Sequence, residues 1–224
     1  MTGPKPKIGL IGDLLPGITM PDLTEDAWLA RDAEIMAARR ETLAREKEAA
    51  LNERRRLLEE SGFPARALRH TGTTPATSAV AEWASASRGR NVLVLSGRAG
   101  CGKTVAAAQW ALGRTRSTRL VRATEFAGSS RFDRETRELW LKAPALVLDD
   151  LGSEYVDSKG SLLTDLDELF DRFYGDEKPM IVTTNMKAHE FTARYGARIV
   201  DRLRECGKWV NCDGGSLRGK SEQK

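Results

Sequence analysis

The chain has 224 residues, of which 40% are hydrophobic and 30% charged, with a formal net charge of +4 and a sequence pI near 9.0. This length predicts one domain of ordinary size plus an appendage, and the mild basic excess favours a polyanionic partner without requiring one. No apolar run is long enough to cross a bilayer, and the three cysteines show no paired spacing. These features argue against a membrane-spanning protein, a zinc site and a disulfide framework, and we expect a cytoplasmic protein.

The first sixty residues divide into two contrasting segments. Residues 1–24 contain four prolines and four glycines and are predicted to form a flexible arm. Residues 25–60 contain neither and are rich in strong helix formers, so they predict one long helix with Thr24 as its N-cap. Apolar residues recur every seven positions along this helix, at Leu29, Met36, Leu43, Ala50 and Leu57, and form a narrow stripe. The companion positions that would widen the stripe are charged, so the sequence fits a solvated helix and a helix that docks on a partner equally well.

A linker follows this charged helix. Residues 61–64 read SGFP, where Gly62 is the expected C-cap and the proline prevents the helix from continuing. A loop and a second helix near residues 78–87 come next. His70 and His189 have no ligand-like neighbours in the sequence and are expected to be surface or packing residues.

From residue 91 onward, short β runs alternate with helical segments. This alternation is typical of a parallel sheet covered by helices on both faces, because parallel strands need crossover helices. The pattern therefore predicts an α/β fold with three α/β/α layers and a central parallel five-stranded sheet. The predicted strands are residues 92–96, 119–122, 145–149, 180–184 and 208–211, and the predicted helices are residues 103–114, 133–142, 161–174 and 187–206, the last of them broken.

A phosphate-binding pattern lies between the first strand and its helix. Residues 97–104 read GRAGCGKT and match G-x-x-x-x-G-K-[ST] without a departure. In such a loop, backbone N–H groups and a helix N-terminus surround the phosphates, the lysine contacts the β and γ oxygens, and the Thr hydroxyl ligates Mg²⁺. We therefore predict binding of ATP and Mg²⁺. The predicted binding residues are Gly97, Arg98, Ala99, Gly100, Cys101, Gly102, Lys103, Thr104 and Val105.

Two further strands end in polar side chains. The apolar run at residues 145–148 is followed by Asp149 and Asp150, and a buried strand that delivers two carboxylates is costly unless a metal or a water uses them. We predict that Asp149 orients Mg²⁺ and that Asp150 is the general base. Asn185 follows the apolar strand at residues 180–184 and could hold the attacking water.

These elements, in this order, resemble AAA+ P-loop ATPases of the ASCE class, and more closely the DnaC/IstB-like branch that includes DnaC-like helicase loaders. The resemblance covers about residues 61–218, and the first sixty residues match no family. It depends on the linker SGFP, which is similar to the "GIP" linker of these proteins, and on four short motifs. They are DDLGSE at residues 149–154, TTN at 183–185, ARIVDRLR at 197–204 and SLR at 216–218.

The resemblance implies three arginine roles. Arg202 occupies the position of an arginine finger that reaches the γ-phosphate held by a neighbouring subunit, and Arg198 is its supporting candidate. Arg218 is similar to the late sensor arginine. Two departures stand out: Asp150 replaces the glutamate of many AAA+ proteins, although Asp-Asp is usual in this branch, and no N-terminal cysteine cluster is present.

The composition of the first sixty residues and the resemblance of the rest together predict a domain organisation and a function. Residues 1–24 would be a flexible arm, 25–60 a charged partner-binding helix, 61–90 a linker with a helix, and 91–224 the AAA+ ATPase domain. We expect slow, assembly-dependent ATP hydrolysis by subunits that form a ring or spiral. The expected partners are a hexameric replicative helicase, bound through residues 25–60, and the single-stranded DNA to which that helicase is delivered.

Three rival functions remain. An IstB-like transposition helper would use the same ATPase core on duplex DNA. A small-molecule P-loop kinase would need an arginine-bearing lid and an acceptor pocket, which the sequence does not suggest. A non-hydrolysing adaptor is disfavoured because Lys103, Asp149, Asp150 and Asn185 are all present.

Overall fold

A computed structural model describes residues 25–86, 91–129, 134–155, 161–212 and 215. The predicted flexible arm lies outside the described residues. So do Thr24, the predicted N-cap of the helix at residues 25–60, and Arg218. The chain divides into two compact units, residues 1–50 and residues 51–224. Within the described residues, no helix combines the length and the apolar composition that a bilayer-spanning segment needs.

Helix α1 (Glu25–Glu60) has the predicted bounds. In the first unit every side chain described between residues 29 and 50 is exposed. The apolar stripe shares this exposure, since Leu29 retains 63% of its surface and Leu43 retains 49%. An exposed ion pair between Arg45 and Glu41, four residues apart, is typical of a solvated helix.

The end of α1 is fixed by a glycine cap. Gly62 has a φ of 99°, and its N–H donates to the carbonyl of Glu59 while the Phe63 N–H donates to the carbonyl of Leu58. This is the Schellman arrangement, and the two side chains that accompany it, Leu58 and Phe63, are buried. The predicted cap at Gly62 is thus in place, and within the second unit the linker is hydrogen-bonded to the strand at residues 119–122. The Leu120 N–H donates to the Ser61 carbonyl at 2.9 Å.

Five parallel strands form the predicted central sheet, in the order β2-β3-β4-β1-β5. Strands β1, β3 and β4 are therefore neighbours, and their carboxyl ends lie at one edge of the sheet. This adjacency places the three motif-bearing strand ends side by side. The strands are β1 (Val92–Ser96), β2 (Arg119–Arg122), β3 (Leu146–Leu151), β4 (Met180–Thr184) and β5 (Gly207–Asn211).

Helices cover both faces of the sheet, which explains why the inner strands are apolar along most of their length. One face packs against the end of α1 and against α2 (Ala65–Arg69), α3 (Pro75–Ala86) and α4 (Lys103–Leu112). The other face packs against α5 (Ala123–Ser129), α6 (Arg134–Leu141), α7 (Ser161–Gly175) and α8 (Ala188–Cys206). The three-layer fold is thus confirmed.

The structure corrects several predicted bounds. Helix α3 begins at Pro75 rather than residue 78, because the Thr74 hydroxyl accepts a hydrogen bond from the Thr77 N–H and the proline suits the first helical position. The short helices α2 and α5 were not predicted, since neither is long enough to show a helical period. The expected break in the last helix is at Gly196, whose φ is 82°.

We expect Gly62→Ala to destabilise the second unit. An added Cβ would lie 2.3 Å from the Leu120 carbonyl oxygen, and φ at this position favours glycine. The two effects together should lower the free energy of unfolding by on the order of 2 kcal/mol, as measured by urea unfolding. Gly128→Ala is the matched control, because a Cβ there meets nothing within 4 Å and φ is ordinary. Equal stability of the two variants would contradict the cap.

Candidate functional site

The loop between β1 and α4 curls through glycines. Gly100 and Gly102 have φ values of 88° and 92°. At Gly97, an added Cβ would lie 2.7 Å from the carbonyl oxygen of Cys212 at the end of β5, so only glycine fits. Helix α4 begins directly after the loop and has no side-chain cap, and the N–H groups of an uncapped N-terminus favour an anion.

Lys103 is buried at the mouth of this loop. Its Nζ donates to the carbonyl oxygens of Gly97 and Arg98, at 2.7 and 3.0 Å, and to Oδ1 of Asn185 at 3.0 Å. Because an ammonium group only donates, the amide of Asn185 must present its oxygen to Lys103. The ammonium therefore joins the loop to the end of β4.

Asp149 lies at the end of β3, next to the same loop. Its Oδ1 accepts hydrogen bonds from the hydroxyls of Thr104, at 2.9 Å, and Thr183, at 2.7 Å. Burial raises the pKa of the Asp149 carboxyl, and these two hydroxyls oppose that shift. The hydroxyl oxygen of Thr104 and the Asp149 carboxylate are the oxygen donors that Mg²⁺ prefers, so the residues present fit this ion.

Asp150 has an unusual backbone conformation for a residue other than glycine, with a φ of 59°. The pairing of β3 with β4 is irregular between Leu148 and Leu151, and the Asp150 N–H leaves the ladder to donate to the Thr183 hydroxyl at 2.8 Å. Nδ2 of Asn185 donates to Asp150 Oδ1 at 3.0 Å. Such strain is found at functional sites, where surrounding contacts enforce it.

These groups line one cleft of about 730 Å³, a size suited to a nucleotide. The cleft thus brings together the predicted loop residues, both acidic residues and Asn185. Of the predicted nucleotide-binding residues, it is lined by Ala99, Gly100, Gly102, Lys103, Thr104 and Val105. Gly97 and Arg98 contact Lys103 through their carbonyls, and Cys101 is buried behind the loop with its sulfur 3.7 Å from Nζ.

Sequence reasoning missed several residues of this cleft. His70, expected to be a surface or packing residue, lines it together with Pro64 and Arg66 from the linker and α2. No sequence signal marks these residues, because the packing of α2 against α4 brings them there. Arg122 also lines the cleft, and it pairs in register with Asp149, so the order of the strands would have revealed it.

The structural comparisons agree with this architecture. No protein-family model matches the sequence, and no curated protein does either. Among solved structures, the chain is similar to DnaI, with a TM-score of 0.56, 20% identity, and coverage of 69% of this chain and 94% of that one. The chain has the same α/β P-loop fold.

Two further structures share this fold. The DnaC helicase loader matches with a TM-score of 0.52 at 16% identity, covering 64% of this chain and 93% of that one. The replication initiator DnaA, bound to AMPPCP and single-stranded DNA, matches with a TM-score of 0.52 at 22% identity, covering 65% of this chain and 48% of that one. At these identities the likeness is one of fold.

Two of the predicted arginines lie away from the cleft. Arg198 and Arg202 are on α8 and do not line the cleft of their own chain. Arg202 is ion-paired with Asp167 at 3.0 Å and also with Asp171, and Arg198 is ion-paired with Asp167 at 3.1 Å. The third predicted arginine, at position 218, lies outside the described residues.

A buried carboxylate connects the loop after Asp150 to α8. The Glu154 side chain is fully buried and accepts hydrogen bonds from the Gly152 N–H, at 2.7 Å, and the Tyr195 hydroxyl, at 2.5 Å. Arg194 forms an ion pair with it at 3.2 Å. The DDLGSE motif therefore contains a structural glutamate in addition to its two acidic strand-end residues, a role that the sequence did not indicate.

We expect Asp149→Asn to stabilise the nucleotide-free protein at neutral pH. The folded-state pKa of Asp149 is raised, so ionisation costs folded stability as pH rises from the ordinary Asp value through the folded value. The amide removes that cost while its oxygen can still accept from both hydroxyls. Thermal unfolding should give the variant the higher Tm at pH 7, and the difference should shrink as pH is lowered towards about 4.

Asp165→Asn is the contrasting control for this effect. Asp165 is also buried, but it is ion-paired with Arg137 at 2.7 Å, so its replacement should cost roughly 1–3 kcal/mol. A Tm at pH 7 that is lower for Asp149→Asn than for the unaltered chain would contradict the desolvation argument.

Proposed function

We propose that the chain is an ATPase that loads a hexameric replicative helicase onto single-stranded DNA. The observation that carries the proposal is that Lys103, Thr104 and Asp149 meet in one cleft of a fold similar to those of DnaI and the DnaC helicase loader. The cleft supports ATP as the nucleotide, and the fold likeness favours loading among the roles that such an ATPase can have.

In this proposal the loop at residues 97–105 holds the triphosphate. The N–H groups of the loop and of the α4 N-terminus donate to phosphate oxygens, and Lys103 exchanges its carbonyl partners for the β and γ oxygens. Thr104 and Asp149 would hold Mg²⁺, directly or through its water shell, and the ion would neutralise phosphate charge. The hydrogen bond between Thr104 and Asp149 supports these roles, because it brings the two side chains into contact.

Hydrolysis needs a base and a positioned water. Asn185 is hydrogen-bonded to both Lys103 and Asp150, so its amide lies between the phosphate-binding cation and the proposed base. A water held there attacks the γ-phosphorus, its proton passes to Asp150, and the bond from the γ-phosphorus to the bridging oxygen breaks. The hydrogen bond from Nδ2 of Asn185 holds the Asp150 carboxylate beside this water position.

We propose that Arg202 completes the site of a neighbouring subunit, with Arg198 in support and Arg218 as a sensor. Arg202 does not line the cleft of its own chain. Its ion pairs with α7 hold the guanidinium on the helix surface, with 22% of the side chain exposed. Assembly of subunits into a ring or spiral would exchange these carboxylates for the neighbour's γ-phosphate, which makes hydrolysis slow until assembly occurs.

A mixing experiment tests the trans assignment. Lys103→Ala should abolish ATP binding, and Arg202→Ala should retain binding while losing hydrolysis by on the order of 10³-fold. A mixture of the two variants should recover hydrolysis, because Arg202 of one subunit completes the intact cleft of the other. Phosphate release at fixed total protein is the measurement. Arg204→Ala, on the same helix and paired with Asp201, is the control that should remain active.

Two results would contradict the trans assignment. Arg202→Ala could hydrolyse ATP as fast as the unaltered chain, in which case the residue is not a finger. Alternatively, the mixture could stay inactive although each variant is folded and Arg202→Ala binds ATP, in which case the arginine acts within its own chain.

We propose that α1 captures the helicase through its exposed stripe. Replacing Leu29, Met36 and Leu43 together by Glu should abolish co-purification with the hexameric helicase, because three charges would enter an apolar interface. The full chain is used because Leu58, near the end of α1, is buried, so deletion of residues 1–60 would also disturb the second unit. ATP hydrolysis should be unchanged.

The matched control introduces the same three charges one position along the helix. Ala30, Ala37 and Ala44 are exposed, and their replacement by Glu should leave helicase capture intact. Equal capture by both triple variants would refute α1 as the contact. Failure of the unaltered chain to capture any helicase, with ATP-dependent filaments on duplex DNA, would favour a transposition helper. Phosphorylation of nucleosides or nucleotides would favour a kinase.

A further inference from the structure

Three arginines converge at the carboxyl end of α4, far from the cleft. Nη2 of Arg54 donates to the carbonyls of Ala111 and Arg116, both at 3.0 Å, so its guanidinium spans the turn that contains Arg114. Burial, and then the charges of Arg116 and Arg54, lower the pKa of Arg114. We call these three residues the α4 arginine cluster. Helix α4 separates it from Lys103 by about 15 Å.

The cluster brings three arginines together without an acidic partner. Within the described part of the chain, no carboxylate is ion-paired with Arg54, Arg114 or Arg116, and the buried Nε atoms of Arg54 and Arg114 have no hydrogen-bond partner. Elsewhere many arginines are paired with Asp or Glu. The paired arginines include Arg45, Arg56, Arg137, Arg194, Arg198, Arg202 and Arg204.

An aromatic wall and a cavity adjoin the cluster. The guanidinium of Arg114 lies over the Trp110 ring, 4.7 Å from its centroid, in a cation–π contact that holds the charged group against the indole. Trp110 packs at 54° against Trp83, and both line a cavity of about 650 Å³. Glu177 also lines this cavity but forms no ion pair with Arg114.

We propose that the α4 arginine cluster and Trp110 bind the sugar-phosphate backbone of a single-stranded nucleic acid. Guanidinium groups match phosphate oxygens in geometry and charge, so a bound backbone would supply the missing counter-charge. The cavity beside Trp110 can take an unstacked base, which a single strand offers and a duplex does not. This inference rests on the proposed loading onto single-stranded DNA and adds the surface on which the strand lies.

The test replaces Arg114 and Arg116 by Gln in the full chain. Arg54 is kept because it caps the carbonyls at the end of α4. Fluorescence anisotropy with a dye-labelled oligothymidine should show binding at least about 10-fold weaker than that of the unaltered chain at low salt. A plot of log affinity against log salt concentration should become shallower, its negative slope shrinking in magnitude by about 1.4, or about 0.7 for each lost phosphate contact.

The matched control replaces Arg45 and Arg204 by Gln. This pair removes the same charge from exposed arginines that already have acidic partners, so the affinity for the strand should change less than about 2-fold. Affinity for a fluorescent ATP analogue should be the same in all three proteins, because the cluster lies a helix length from Lys103.

Several outcomes would overturn the inference. If the cluster variant binds the oligonucleotide as tightly as the unaltered chain, the assignment of the strand to this surface is wrong. The proposed helicase loading would not fail with it, because helicase capture and ATP hydrolysis test that proposal. If a duplex of equal length binds equally well and loses the same affinity, the assignment to a single strand is wrong. If pyrophosphate binds the cluster more tightly than the strand does, the ligand is a small phosphate. If the unaltered chain binds no strand, the DNA half of the proposed function also fails.

Discussion

The Asp149 carboxylate is buried at the end of β3, where one of its oxygens accepts hydrogen bonds from Thr104 on α4 and Thr183 on β4. This shared oxygen joins three elements that are distant in sequence. Lys103 and Asn185 extend the same network to Asp150, so a displacement of any one strand end would break several hydrogen bonds. The network depends on the order β3-β4-β1, which places these strand ends side by side.

The site is assembled against the preferences of isolated residues. Asp150 has a positive φ, Asp149 is buried with a raised pKa, and the loop needs glycine where a Cβ would meet the chain. Each feature costs folded stability, and the hydrogen bonds around Asp149 and Asn185 offset part of that cost. A loss of stability of this kind is typical of sites that bind charged ligands.

How much of this could be foreseen depends on how local each signal is. The bounds of α1, the cap at Gly62, the five strands and the residues at 97–104 follow from neighbouring residues and their period. Thr74 followed by Pro75 is also a local signal, because it marks the start of a helix. The prediction placed that start at residue 78 and did not use this signal. His70 and Arg122 reach the cleft only through packing and strand order, and the Glu154–Arg194 pair joins residues forty positions apart. No pattern in one sequence specifies such distant contacts.

The central claim is that one cleft binds ATP through Mg²⁺ held between Thr104 and Asp149. The most direct measurement is the affinity for ATP by calorimetric titration, with and without Mg²⁺, for the unaltered chain and for Thr104→Val and Asp149→Asn. We expect Mg²⁺ to strengthen binding by about 10-fold or more in the unaltered chain and both substitutions to remove most of this gain. An affinity that does not depend on Mg²⁺, or a gain that survives both substitutions, would contradict the claim.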